Sequence, residues 1–165
     1  MDLKRIIRHL TMTHWQVGRA FPRVALNAIE QAIKSSETAH LGEIRFAVEG
    51  ALHTTALFRG QSARERAIEV FSQLRVWDTE HNNGVLIYLL LADRDVEIIA
   101  DRGIHAKVGA QAWEIICREM EAAFGAQRYQ QGVINGIQSV AWHLARHFPA
   151  TGVNPNELPD RPVVL

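Results

Sequence analysis

Residues that could bind a metal ion or transfer protons flank two apolar segments between residues 75 and 105. The polar residues before the first apolar segment and after the second are Asp78, Glu80, His81, Asn82, Asn83, Asp101 and His105. Carboxylate and amide oxygens are the ligands that calcium and magnesium prefer, and an imidazole ligand would also suit zinc or manganese. The two histidines carry the side chain that most often transfers protons near neutral pH.

The two apolar segments predict a β-hairpin that would bring these polar residues together. Gly84 to Ala92 is predicted as the first strand, a turn at Asp93 to Asp95 reverses the chain, and Val96 to Ala100 is predicted as the second strand. In an antiparallel pair, the residues before the first strand and after the second lie at the same end of the sheet. We therefore expect the two flanks to form one polar rim.

An earlier strand adds polar residues to this rim. Glu43 to Glu49 alternates polar with apolar side chains, which predicts a half-buried strand. A strand, a helix and a second strand of one sheet are normally parallel, so this strand and the first hairpin strand should begin at the same edge. His40 and Glu43 would then lie at the polar rim, and Glu49 and His53 at the opposite one.

The metal-ligand candidates at the rim are Asp78, Glu80, Asn82 and Asp101, with Glu43 as a fifth. Asp78 and Asn82 are also typical capping residues of helices and turns, and Asp101-Arg102-Gly103 is typical of a turn. The chain has no helix–loop–helix calcium motif, no HExxH and no paired CxxC. Residue types and predicted proximity therefore support the hypothesis of a calcium or magnesium cofactor, without a recognised motif.

The order of predicted elements indicates the fold class. Helices are predicted over residues 22–39, 109–125 and 129–148. Another helix is predicted to start at Ser62, where Ser62-Ala-Arg-Glu65 has the pattern of a capping box. The first hairpin strand is apolar on both sides, so it needs helices on both faces of the sheet. The sequence thus predicts an α/β protein, a three-layer α/β/α sandwich with a small mixed β-sheet.

Three segments are predicted along the chain. Residues 1–21 form a basic, partly amphipathic segment that could lie on a membrane surface or on a partner; a short helix packed on its own domain is the favoured interpretation. Residues 22–148 form the α/β/α domain. Residues 149–165 hold four of the five prolines and are predicted to be extended on the surface.

Composition excludes some functional classes. Acidic and basic residues balance at 18 each in 165 residues, so no overall charge points to nucleic acid as a partner. The longest apolar run, Val85 to Ala92, is far short of the roughly 20 residues that span a bilayer. One cysteine, Cys117, lies on a predicted apolar helix face, where core packing is favoured over a nucleophilic role. We expect a cytoplasmic protein, with a peripheral position at the inner membrane left open.

Several segments in the right order are similar to one known family. These are Asn82 to Ile87, Arg94 to Ile98, Asp101 to His105, Met120 to Phe124 and Tyr129 to Ile137. Over residues 25–148 the chain resembles the TPM domain family, whose members are α/β/α sandwiches. For some members, acid phosphatase activity and binding of divalent metals, chiefly calcium, have been proposed. Many members also carry a signal peptide and a membrane anchor, neither of which is evident here.

The resemblance and the residues lead to two functional hypotheses. The favoured one is a binding and assembly module; the resemblance implies a membrane-anchored TPM-domain protein or a LemA-like coiled-coil protein as partner. The alternative is a metal-dependent phosphatase, in which Asp78, Glu80 and Asp101 hold a cation that activates water. His81 or His105 would then be the proton donor to the leaving group. The binding module is favoured because the phosphatase residues are chosen by their predicted proximity and not by a recognised catalytic arrangement.

Overall fold

The computed structural model describes residues 3–152 and 155–165, and within them four strands form one mixed sheet. The strands are β1 (Glu43–Glu49), β2 (Gly84–Leu90), β3 (Asp95–Ala100) and β4 (Val163–Val164). Their order in the sheet is β3-β2-β1-β4, with β1 parallel to β2 and β4, and β3 antiparallel to β2. The predicted hairpin and the predicted parallel pair are both confirmed.

Eight helices surround this sheet in the described part of the chain. They are α1 (Leu3–Thr11), α2 (His14–Ala20), α3 (Arg23–Ser36), α4 (Thr54–Phe58), α5 (Ala63–Gln73), α6 (Arg102–Val108), α7 (Ala110–Gly125) and α8 (Tyr129–His147). The predicted capping box at Ser62 is confirmed, since its hydroxyl accepts a hydrogen bond from Glu65 N and the Glu65 carboxylate accepts one from Ser62 N. None of these helices has the length and apolar character that a bilayer crossing requires.

Helices cover both faces of the sheet, so the predicted three-layer sandwich is confirmed. One core contains Phe46 and Ile87 from the sheet and the inner faces of α3, α7 and α8. The second core lies on the other face, where Leu86 and Tyr88 pack against α4 and α5. Each side chain of β2 is buried, as expected of a strand with two covered faces.

The prediction that β1 is half-buried is wrong. All seven of its residues are buried, including Glu43, Arg45 and Glu49. The alternation of polar and apolar residues normally marks a strand with one solvent-exposed face. Here the polar face is covered because α5 and the C-terminal tail pack over it.

The N-terminal helix packs on its own domain, as the favoured interpretation expected. Arg5 Nε lies 2.9 Å from Asp93 Oδ2 in the β2–β3 turn, and buried His9 places Nε2 3.1 Å from Asp93 Oδ1. Leu52 N donates a hydrogen bond to His9 Nδ1, so the hydrogen of a neutral ring is on Nε2, which makes no well-aligned hydrogen bond among the described residues. Met1 and Asp2, which belong to the predicted 1–21 segment, lie outside the described residues.

The segment Asp101-Arg102-Gly103 begins a helix and is not an isolated turn. Asp101 Oδ1 accepts a hydrogen bond from Arg102 N at 2.7 Å, and α6 follows. Gly103 lies against the loop before β2, where an added Cβ would be 2.5 Å from Asn82 O. A glycine is therefore required for this close contact between the two flanks of the hairpin.

The C-terminal tail is extended, as predicted, but part of it belongs to the sheet. Val163 and Val164 pair with Ala47 and Val48, and Leu165 N donates a hydrogen bond to Val48 O. Leu158 is buried in the core under α5. Val153 and Asn154 of the predicted 149–165 segment lie outside the described residues.

Candidate functional site

The backbone brings the predicted rim together. Glu43 is opposite Gly84 in the β1–β2 register, and Asp101 N donates to Gly84 O at 2.8 Å. Ile104 N donates to Asn82 O at 3.2 Å, which joins the start of α6 to the loop before β2. The two flanks of the hairpin and the start of β1 thus share one edge of the sheet.

The acidic side chains of this rim have contacts of their own. Asp78 is exposed and its Oδ2 lies 3.0 Å from Arg75 Nη2. Asp101 caps α6 through Oδ1, while its Oδ2 is buried without a hydrogen-bond partner among the described residues. Asn82 adopts a left-handed turn with φ of +51°, and the backbone N of Glu80 donates to the Glu157 carboxylate at 3.0 Å.

The two histidines proposed as proton donors are exposed. His105 lines a cleft along β3 together with Trp113 and Glu121. Over residues 3–152 and 155–165, no three His, Cys, Asp or Glu side chains are grouped as metal ligands. The metal site at the rim and the roles of His81 and His105 therefore stay predictions.

The C-terminal tail closes over Glu43, which sequence reasoning placed at an open rim. Glu43 is 1% exposed, and its two carboxylate oxygens accept hydrogen bonds from Glu157 N at 3.1 Å and Leu158 N at 3.3 Å. Burial raises the pKa of Glu43 to about 7; the two N–H groups oppose this shift, and the charges of Glu157 and Asp160 add to it.

Two further acids complete a group that we call the carboxylate cluster: Glu37, Glu43 and Asp160. Burial and the neighbouring Asp160 raise the pKa of Glu37 to about 8. Arg45 lies beside the cluster; burial lowers its pKa, and the charges of Asp160 and Glu43 oppose that shift. Glu43 is buried, and Glu37 and Asp160 are partly buried; raised pKa values of this kind are found at functional sites and in structural networks alike.

Sequence reasoning missed the carboxylate cluster because its parts are distant along the chain. Glu43 and Leu158 are separated by 115 positions, and no periodicity connects a proline-rich tail to a particular strand. The available signal was the three charged residues on one side of β1. A strand in the middle of a covered sheet needs a partner for each buried charge.

A second polar network lies at the opposite edge of the sheet. Glu49 is 7% exposed, and its Oε2 accepts hydrogen bonds from Tyr88 Oη and Arg66 Nε, both at 2.8 Å. Burial, then the charge of Glu49, raises the pKa of Tyr88. The network borders a cleft of about 540 Å³ that His53 and Arg59 also line. Its groups already satisfy one another, so we interpret it as a structural ion pair.

The N-terminal helices carry an exposed apolar surface. We call it the N-terminal face and define it by Leu3, Ile7, Leu10 and Trp15. Leu3, Ile7 and Leu10 recur at one-turn spacing along α1, so they share a side of the helix. Their exposed fractions are 69%, 52% and 60%, and Trp15 in α2 is 68% exposed. This side of α1 is opposite to the one that holds Asp93 through Arg5 and His9.

Comparisons with known proteins agree with this architecture. A structure of the BA42 protein from the psychrophilic bacterium Bizionia argentinensis matches with a TM-score of 0.75 and 29% identity, over 86% of this chain and 92% of that one. The N-terminal domain of a protein from P. gingivalis matches in fold, with a TM-score of 0.58 and 18% identity over 73% of this chain and 76% of that one. No protein of curated function matches the sequence. The family model described as the TPM domain matches residues 19–142, and the chain therefore belongs to the TPM domain family.

Proposed function

We propose that this protein is a binding and assembly module that docks through its N-terminal face onto an envelope-associated protein. The exposure of that face is the observation that carries the proposal. Leu3, Ile7 and Leu10 lie on one side of α1 and Trp15 lies on α2, each more than half exposed. Single exposed apolar residues are common on protein surfaces, but a row of three along one side of a helix is typical of an interaction site.

The charges around the face define the chemistry of the partner. Residues 3–21 contain Lys4, Arg5, Arg8 and Arg19 and no acidic residue. Arg19 lies over the Trp15 ring at 5.4 Å from its centroid, so a cation borders the exposed aromatic surface. A partner helix or groove with apolar side chains and a carboxylate border would complement this surface in both respects. The resemblance suggests a membrane-anchored TPM-domain protein or a LemA-like coiled-coil protein.

Matched substitutions test the docking face. Ile7→Glu places a charge in the middle of the face, and Ile115→Glu makes the same change on α7 at a position of similar exposure, 50% against 52%. We expect a partner that copurifies with the wild-type protein to be lost with Ile7→Glu and retained with Ile115→Glu. Reconstitution with the purified partner should then show at least tenfold weaker binding for Ile7→Glu alone, which corresponds to about 1.4 kcal/mol.

Two outcomes would contradict the proposal. Equal binding by Ile7→Glu and wild type would show that another surface docks. Flotation with phosphatidylglycerol vesicles that contain no protein, abolished by Ile7→Glu, would identify the bilayer as the occupant of the face. Neutral phosphatidylcholine vesicles are the control for charge-dependent adsorption.

The cation and the phosphatase activity remain hypotheses from residue types and resemblance. Asp101→Asn is the sharpest variant, because asparagine keeps the helix cap while it removes the carboxylate charge. If a divalent cation binds at the rim, the affinity for calcium or magnesium, measured by calorimetry, falls by tenfold or more in this variant. If the cation supports phosphomonoester hydrolysis, metal-dependent activity falls with it, and His81→Gln or His105→Gln lowers the residual rate.

A further inference from the structure

A cleft at the β1–β4 edge of the sheet is lined by three arginines. Its volume is about 700 Å³, and it lies between α3, β1 and the C-terminal tail. Arg23 comes from the first turn of α3, Arg45 from β1 and Arg161 from the tail. Glu30 is the one acid among the described residues that line it. We call this the arginine cleft.

Arg45 is the unusual member of the cleft. It is 6% exposed, and its Nε and Nη1 have no hydrogen-bond partner among the described residues. Asp160 and Glu43 attract it by charge without forming hydrogen bonds to these two nitrogens. Both nitrogens are closed to solvent, so Arg45 contributes its positive charge to the cleft that it lines beside Arg23 and Arg161. An oxyanion in the cleft would be attracted by these three charges.

The lining also indicates what kind of anion fits. Leu26, Pro159, Pro162 and Val163 supply apolar walls, while the guanidinium groups approach from three different elements. Guanidinium N–H donors match the oxygens of carboxylate and phosphate groups, and clefts of roughly 300–1,000 Å³ are typical of small-molecule sites. The surface of the cleft offers no serine, cysteine or histidine among its described residues, so it is suited to hold a ligand without hydrolysing it.

We propose that the arginine cleft binds a small organic anion, with its carboxylate or phosphate group at Arg23, Arg45 and Arg161. The site is separate from the N-terminal face, and it adjoins the predicted metal rim through Arg45, which interacts by charge with Glu43. Because Arg161 belongs to the tail and Arg23 to α3, a bound anion would hold the tail against the domain. A ligand that binds only the folded chain raises its stability by RT ln(1 + L/Kd), where L is the free ligand concentration, so the thermal midpoint rises with ligand concentration.

Titration of the full chain with inorganic phosphate and with citrate tests the proposal. Ionic strength is kept constant with sodium chloride, so that general screening does not differ between samples. We expect saturable binding of at least one anion, by calorimetry and as a rise in the thermal midpoint. Arg23→Gln and Arg161→Gln should each weaken binding tenfold or more, while Arg102→Gln, an exposed charge change on α6, should leave it unchanged.

The outcomes separate the ligand classes and can overturn the site. Citrate binding without phosphate binding identifies a carboxylate ligand, and the reverse identifies a phosphate ligand. Binding that is equal in wild type, Arg23→Gln and Arg102→Gln, or absent for both anions, refutes the proposal. Each of these readouts is independent of partner binding at the N-terminal face.

Discussion

The substitution Glu43→Gln should remove a large part of the pH dependence of folding stability. Glu43 has its pKa raised by burial from 4.5 to about 7. Its folded form therefore keeps a proton that the unfolded chain has already released between these pH values. For such a group, stability is highest when the pH is below the unfolded pKa, and it falls as the pH rises toward the folded pKa. Glutamine cannot ionise, so its contribution is constant.

The magnitude follows from the two pKa values. A difference of about 2.5 units, from 4.5 to about 7, corresponds to about 3 kcal/mol at roughly 1.4 kcal/mol per unit. Since most of this loss develops between about pH 5 and about pH 8, wild type should lose roughly 2–3 kcal/mol more than Glu43→Gln over that interval. The amide oxygen can accept one of the two tail N–H groups, so the variant loses about 1–3 kcal/mol for the other at every pH. The slope against pH, rather than the stability at one pH, is therefore the diagnostic quantity.

Urea unfolding at four or five pH values, followed by circular dichroism, measures the slope. Glu37, whose pKa is raised to about 8 in part by the charge of Glu43, adds a slope of the same sign, so the difference between the two proteins reports Glu43 together with its coupling to Glu37. Glu119→Gln, which removes an exposed carboxylate of α7, is the reference for the loss of one surface charge. Parallel stability curves for wild type and Glu43→Gln would refute the conclusion that the tail buries an ionisable Glu43.

Three further predictions test the packing. Gly84→Ala should strongly destabilise the fold, because the added Cβ would clash with the carbonyl oxygen of Val76. Gly18→Ala in α2, where an added Cβ meets nothing within 4 Å, should instead stabilise the fold by about 0.5–1 kcal/mol, and urea unfolding of the two variants measures the difference. Burial raises the pKa of Cys117 from 9.0 to about 12, which lowers the fraction of the reactive thiolate. Iodoacetamide should therefore alkylate the native protein about a thousandfold more slowly than the urea-unfolded chain, and equal rates would contradict the burial of Cys117. Glu49→Gln should lower the unfolding free energy by about 1–3 kcal/mol, measured by calorimetry, because the partly buried Arg66 loses one of its two carboxylate partners and keeps only Glu69. A loss below about 0.5 kcal/mol would show that the Glu49–Arg66 pair is solvated.

The sequence predicted those elements whose signals are local. The hairpin followed from two apolar segments and a three-residue turn, and α5 from a capping box at Ser62 that forms as predicted. The arrangement of β1 beside β2 followed from connection rules that restrict strand–helix–strand units. These predictions use interactions among neighbours in the chain, or chirality that all L-residues share, so no knowledge of distant partners was needed.

The missed features depend on contacts between distant residues. Asp101 suits a turn and a helix cap equally well, so local preference did not distinguish the two. In the structure it caps α6, and Gly103 approaches Asn82 closely at the start of that helix. The alternation in β1 indicated an exposed polar face until the tail was known to cover it. The rim was predicted correctly as a place, because strand register determines it. The contacts of Glu43 could not be predicted, because its hydrogen bonds come from residues of the tail.

The tail therefore has two consequences for the chemistry of β1. Its packing excludes water from the Glu43 carboxylate, which raises the pKa of Glu43, while its Glu157 and Leu158 N–H groups bind the carboxylate and oppose that rise. Its residues Pro159, Arg161, Pro162 and Val163 line the arginine cleft together with Arg45 of β1. If the arginine cleft binds an anion as proposed, that anion and a proton on Glu43 should favour each other, because protonation of Glu43 removes a negative charge that attracts Arg45. The proposal therefore predicts that acidity and anion binding are coupled through a tail that the sequence presents as an extended surface segment.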